Sequence, residues 1–309
     1  MLLACRICVS TAESTTILHA MEPRRRVAPA TAQPSDVQST ASDAVRHRVR
    51  ALYRYPIKSC RGTPLDEAIV DARGIMADRR WMVVDAAGNF LSQRELPRMA
   101  LVTPRLGDEV MEVTAPDMQP LVVALGSSGA EVDVTIWDDR CVAVDEGADA
   151  ARWFTTVLGV PCRLVRKSDT DVRRVDPTYA GPGDQVGFAD GFSFLLTSQA
   201  SLDELNRRLP QPLPMNRFRP NIVIDGATAF EEDGWRSIRV GAVTFTVAKP
   251  CARCAITTTD QLTAERSKEP LRTLATFRNV PGKGVMFGQN LVHHGMGVLR
   301  LGDTVEVIA

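Results

Sequence analysis

Residues 249–260 read Lys-Pro-Cys-Ala-Arg-Cys-Ala-Ile-Thr-Thr-Thr-Asp. A β-branched run closes at Pro250, two cysteines follow at Cys-x-x-Cys spacing, and a second β-branched run, 255–259, opens at once. Val, Ile and Thr suit a pleated, half-buried surface, so strands are expected on both sides of the cysteine turn. Working outward, strands are expected at 221–225, 236–240, 244–248, 285–292, 298–301 and 304–308. A helix is expected at 198–209, capped by Ser198 or Ser201 with Leu202, Leu205 and Leu209 as its buried stripe, and another at 268–278. The N-terminal half is also strand-rich, without being an internal repeat, with short strands at 49–55, 80–85, 101–106, 131–137, 140–145 and 162–166. A helix at 148–158 carries Ala151, Phe154 and Leu158 on one face. Many short strands at close spacing imply an α+β, mostly β, chain of two fused β-barrel-like modules with a few peripheral helices.

The polar, Gly- and Pro-rich stretch from Ser168 to Asp190 is the expected boundary, giving modules at 46–167 and 168–309. Residues 1–45 are expected to be a disordered tail, since their Ala, Ser, Thr, Pro and Gln cannot bury enough surface to offset ordering entropy. No basic segment precedes the apolar start at 1–9, which argues against a secretory signal. The Arg and Ser content leaves an organelle transit peptide open, Glu13 and Glu22 argue against one, and Met21 is an alternative start. The cytoplasm is the expected compartment.

Lys plus Arg and Asp plus Glu both number 37, so no net field points to nucleic acid or an anionic membrane. No apolar run approaches the roughly 20 residues that cross a bilayer. Seven cysteines, an odd number, do not form a disulfide framework, and free thiols are expected. With only four histidines, a His-based zinc site is hard to assemble.

The Cys251–Cys254 pair admits four readings. Half a structural zinc site lacks a second Cys or His pair at suitable spacing, Cys5 and Cys8 lying in the tail. A dithiol redox motif normally opens a helix, whereas 255–259 favours a strand. Two buried structural thiols are the plainest reading. The fourth is a thiolate bound to a soft transition metal, with Arg253 beside it to offset charge. Three further motifs supply cations. Asn216-Arg-Phe-Arg-Pro-Asn221 puts Arg217, Arg219 and Asn221 on one side if extended, a set suited to phosphate. Tyr55-Pro-Ile-Lys-Ser places Lys58 and Ser59 at the end of a strand, and Asp78-Arg79-Arg80-Trp81 places two arginines at the start of another. Taken singly, each also reads as ordinary surface charge.

In order along the chain, these motifs resemble the MOSC superfamily, in its two-module form with an N-terminal MOSC β-barrel domain. The likeness is to the branch holding the mitochondrial amidoxime-reducing components and bacterial YcbX-type proteins. It rests on Tyr-Pro-Ile-Lys-Ser (55–59), Asp-Arg-Arg-Trp (78–81), Asp-Gln-Val (184–186), Arg-Phe-Arg-Pro-Asn-Ile-Val (217–223), Cys-Ala-Arg-Cys (251–254), Lys-Glu-Pro-Leu (268–271) and Phe-Gly-Gln-Asn (287–290).

The resemblance implies a molybdenum cofactor, a molybdenum–molybdopterin, with Cys254 as metal ligand and catalytic centre and Cys251 as a neighbouring structural thiol. Lys58, Ser59, Arg79, Arg219, Asn221, Arg253 and Asn290 would hold the cofactor. Gly191 and Phe192 stand where relatives carry hydroxyl residues, so contacts from that loop would run through backbone N–H groups. Ala252 stands where they have serine. The implied activity is reduction of small N-hydroxylated compounds by a monomer. The sequence shows neither a dinucleotide Gly-x-Gly-x-x-Gly motif nor an iron–sulfur cysteine set, so electrons are expected from a separate electron-transfer protein. The alternative is a non-catalytic MOSC module that carries sulfur or cofactor for other enzymes.

Overall fold

Strand pairing ties the two ends of the described residues together. The structure, a computed structural model, describes residues 47–309; the expected tail, with Cys5, Cys8 and Met21, lies outside them. Its largest sheet runs Val305–Val307, Ser237–Val240, Val243–Ala252, Gly284–His294, Phe194–Ser198, Ile222–Asp225, Arg48–Arg54, Thr63–Leu65. The last two strands come from the N-terminal half, and Glu67–Asp71 pairs with Gly297–Arg300 in a separate sheet. Strands from before the 168–190 loop thus join strands from after it in two sheets. Leu52, Val70 and Ile75 accordingly share one core with Leu196, Ile222, Phe245 and Leu299.

The remaining N-terminal strands form two smaller sheets. Trp81–Val84, Arg163–Lys167, Asp139–Asp145 and Glu131–Ile136 make one, and Thr103–Leu106, Val110–Thr114 and Leu121–Ala124 the other. They enclose a second core around Ile57, Val83, Met99, Val113, Phe154 and Leu164. The helix Ala148–Leu158 supplies Trp153, Phe154, Val157 and Leu158 to it and ends at Gly159, whose φ of 73° suits a residue without a Cβ.

Most expected elements are present within a residue or two, and the chain is mostly β. The helix at Gln199–Arg208 is capped by Ser198, whose hydroxyl accepts from the Ser201 N–H at 3.0 Å. Phe194–Ser198 escaped the sequence pattern because all five residues are buried and show no alternation. It runs parallel to Ile222–Asp225, with the helix as crossover. Two expectations fail. Residues 255–259 are not a strand: Ala255–Thr258 is a 3₁₀ turn, because Thr257 bonds back to the Cys254 carbonyl through both N–H (3.1 Å) and hydroxyl (2.9 Å). The expected helix at 268–278 shrinks to Leu271–Ala275, opening after Pro270.

Gly288 lets the two central strands close up. Its φ is +79°, and a Cβ there would stand 2.6 Å from the Leu196 carbonyl oxygen. Gly288→Ala is therefore expected to destabilise the fold by about 2 kcal/mol or more, from strain and a forced strand shift. Chemical denaturation with far-UV circular dichroism checks this.

Glu232 is fully buried; one oxygen accepts from the Ser201 hydroxyl at 2.8 Å and the other has no partner. Burial raises its carboxyl above the usual range. Stability from its protonated form is therefore fully present below the unfolded-state value and is lost as pH rises through the folded one. Relative to Glu232→Gln, the natural chain should lose ground as pH rises above the ordinary glutamate range of about 4 and through the raised folded-state value, as read from paired thermal melts.

Candidate functional site

Four strand ends and two loops converge on one cleft. Its walls include all eight residues singled out from the sequence: Lys58, Ser59, Arg79, Arg219, Asn221, Arg253, Cys254 and Asn290. Lys58 and Ser59 follow Arg48–Arg54, Arg79 precedes Trp81–Val84, and Asn221 precedes Ile222–Asp225. Asn290 lies inside Gly284–His294, opposite Lys249 and Leu195. Cys254 follows Val243–Ala252 directly and opens the 3₁₀ turn.

At the floor is an aromatic ring shared by two cations. The guanidinium carbons of Arg79 and Arg219 each lie 4.3 Å from the ring centroid of buried Tyr55. The Tyr55 hydroxyl donates to the Pro220 carbonyl at 3.0 Å, tying ring and Arg219 loop together. Arg79 donates to Asp78 Oδ2 (2.5 Å), Asn221 Oδ1 (2.9 Å) and the Arg219 carbonyl (3.3 Å). Arg219 donates to the Cys60 carbonyl at 2.7 Å. Burial brings Arg219 down to about 10, with Tyr55 opposing the shift, so it stays charged at neutral pH. Asn221 is buried, one Nδ2–H donating to the Tyr53 carbonyl (3.2 Å) and its Oδ1 accepting also from the Leu195 N–H (3.3 Å), which leaves one Nδ2–H over. Its Oδ1 orients Arg79.

Three of these residues hold left-handed backbone: Ser59 (φ 66°), Arg79 (φ 47°) and Arg219 (φ 56°). L-residues avoid this region at a cost of about 1 kcal/mol or more, and such outliers gather where function fixes the backbone. For Arg219 the conformation also explains a failed expectation. Residues 217–221 are not extended: Met215–Arg217 is 3₁₀ and Arg219 turns left-handed. Arg217 therefore points away, to the Thr257 carbonyl (3.3 Å) and Asp260 (3.5 Å). Arg80 likewise leaves the cleft and pairs with Asp71 at 2.6 Å.

Lys58 is buried and paired with Asp190, a residue from the boundary loop that the sequence reading did not single out. Asp190 also accepts from Arg94 (3.3 Å) and from the Trp137 indole N–H (3.3 Å). Burial lowers the Lys58 ammonium from the usual lysine range, and Asp190 opposes that shift. Lys58, Arg79, Arg219 and Arg253 line the cleft against the single carboxylate of Asp190, leaving a positive excess.

Arg253 donates to Cys251 Sγ (2.9 Å) and to the Phe218 carbonyl (2.6 Å), while its Nε is buried without a partner. The charge expected beside Cys254 is thus bonded to the other thiol. Both thiols are half-buried, whereas Cys60, Cys141 and Cys162 are buried and free, burial pushing Cys60 up to about 12. Among the described residues no group of three or more His, Cys, Asp or Glu could hold a metal. A metal here would need most of its ligands from a carrier, with one thiolate from the chain.

The MOSC N-terminal beta barrel domain matches residues 46–161, and the MOSC domain matches residues 183–306. The chain is similar to human mitochondrial amidoxime-reducing component 1, 32% identical over 84% of this chain and 82% of that protein. It is 34% identical to rat mitochondrial amidoxime reducing component 2 over 83% of this chain and 82% of the relative. Human molybdenum cofactor sulfurase is 32% identical over 80% of this chain but only 30% of its own length. No helix of the described residues is long and apolar enough to cross a membrane.

Asn221→Leu should cost roughly 2 kcal/mol or more, since it strands the buried Leu195 N–H and Tyr53 carbonyl and releases Arg79. Urea unfolding measures the loss, and a crystal structure of the variant should show Arg79 displaced.

Proposed function

Because the chain belongs to the MOSC family, an N-terminal MOSC β-barrel domain joined to a MOSC domain, we propose that it is a molybdenum-cofactor-dependent reductase of small N-hydroxylated compounds. The observation that carries this reading is the meeting of a half-buried thiolate candidate, Cys254, with four cations in one cleft. The donor set fits the cofactor. A lone thiolate suits a soft metal whose other ligands arrive with it, and excess positive charge suits an anionic, phosphate-bearing carrier. When bound, molybdenum–molybdopterin would supply the two-electron chemistry that takes the N–OH oxygen, which two protons release as water.

The chain's own part is to hold and orient. Cys254 would be the metal ligand. Lys58, Arg79 and Arg219 would grip the anionic end, with the Ser59 hydroxyl as a further donor. Asn221 fixes the Arg79 fork, and Tyr55 keeps both guanidiniums over its ring. Arg253, anchored on the Phe218 carbonyl, holds Cys251 in place and keeps a free Nε–H. Asn290 would offer an amide at the opposite wall. Gly191 and Phe192 line the cleft and donate no backbone hydrogen bond among the described residues, so their N–H groups would be available to a ligand. Electrons would come from a separate redox protein, the substrate being a hydroxylamine, amidoxime or N-hydroxylated base.

Similarity to a cofactor sulfurase supports a second reading, a module that carries sulfur or cofactor without turnover. Molybdenum and pterin should co-purify in equal amounts on either reading. A reduced viologen should drive loss of benzamidoxime only on the first; NADH alone should not. Cys254→Ala should lose metal and turnover together, while Cys251→Ala keeps most of both and loses about 1 kcal/mol of stability. Equal metal loss in the two variants, read by elemental analysis, would point to a two-cysteine site.

A further inference from the structure

The turn that delivers Arg79 to the cleft has a second face. Ala77 and Arg80, on either side of Arg79, line a separate, open cavity. Strands of all four sheets end there: Arg48–Arg54, Glu67–Asp71, Trp81–Val84 with Arg163–Lys167, and Thr103–Leu106. Met76, Leu106 and Leu125 make part of its wall apolar.

Four cations also face it, and three are committed. Arg166 donates to Glu146 (3.2 Å) and the Ser127 carbonyl (2.9 Å), Lys167 to Asp171, and Arg80 Nη2 to both Asp71 oxygens (2.6 and 2.7 Å). Arg54 is different. Among the described residues it forms no ion pair or side-chain hydrogen bond, and its Nε is buried without an acceptor. Arg80 Nε is buried and unpartnered in the same way. A buried N–H without an acceptor is costly, more so on a charged group, so two at one cavity call for an acceptor that the described residues do not supply. The wall carboxylates do not fill the need. Asp71 is taken by Arg80, Asp169 by Arg73 at 3.4 Å, and Asp108 sits exposed at the hairpin turn.

We propose that this cavity is a second ligand site, built for a small monoanionic carboxylate with an apolar body. A carboxylate carries two acceptor oxygens for two guanidinium edges, Arg54 and Arg80. Of the four cations only Arg54 has no carboxylate partner among the described residues, and one unpaired guanidinium matches a monoanion better than a phosphate dianion. The apolar wall takes the body of the ligand. This inference stands apart from the molybdenum reading and needs no cofactor.

Titration calorimetry of the full chain with benzoate tests it. Saturable single-site binding is expected, with none for benzyl alcohol and weaker binding for inorganic phosphate. Arg54→Gln should weaken benzoate binding by about tenfold or more, since a hydrogen bond to a charged group is worth about 1.5–3 kcal/mol. Arg219→Gln, in the cleft, should leave it unchanged. Hydrogen exchange on the natural chain, which needs no variant, should show benzoate protecting 54 and 77–80. Unchanged affinity in Arg54→Gln, equal loss in Arg219→Gln, phosphate binding tighter than benzoate, or protection confined to 189–192 would each overturn the proposal.

Discussion

Two guanidiniums share one buried tyrosine ring, and the arrangement of the cleft follows from how that is made tolerable. Arg79 and Arg219 both lie 4.3 Å from the Tyr55 centroid. Buried cations are costly unless paired and hydrogen-bonded. Here the ring quadrupole, Asp78, the Asn221 amide and two backbone carbonyls provide the compensation. The partners come from three stretches of chain, 55–60, 78–79 and 219–221, so satisfying the arginines also fixes the ends of three strands. The sheet order with Arg48–Arg54 beside Ile222–Asp225 brings these stretches within reach.

That knot accounts for the strained backbone. Ser59, Arg79 and Arg219 each adopt left-handed φ beside the cleft. In an extended path Arg219 would share a side with Arg217; the turn separates them and sends one to the cleft, the other to Thr257 and Asp260. Strain spent in this way buys position.

Charge is handled locally because the chain has no net charge to lend. Asp190 offsets Lys58 at the cleft's edge, together with Arg94 and Trp137, while Arg219 and Arg79 keep their charge facing inward. The second cavity shows the opposite condition, an arginine without a side-chain acceptor among the described residues. Both features meet at residues 77–80, where consecutive side chains face different cavities.

The sequence alone determined that the chain is mostly β, where nearly every long strand lies, and which short motifs carry cations and thiols. These are local matters, since β-branched runs, turn residues and a Cys-x-x-Cys are legible within a dozen residues. It also named Lys58, Arg79, Arg219, Asn221, Arg253, Cys254 and Asn290, but through an ordered likeness of motifs, which says nothing of distance. Only the tertiary structure brought them to one cleft, by pairing strands more than 160 residues apart in the chain (Leu52 with Ile222). It alone decided that Arg217 and Arg80 turn away, that Thr257 folds 255–258 into a 3₁₀ turn, and that Asp190 pairs with Lys58. Those outcomes depend on which buried polar group finds a partner, a competition settled between segments distant in sequence and so invisible to any window read along it.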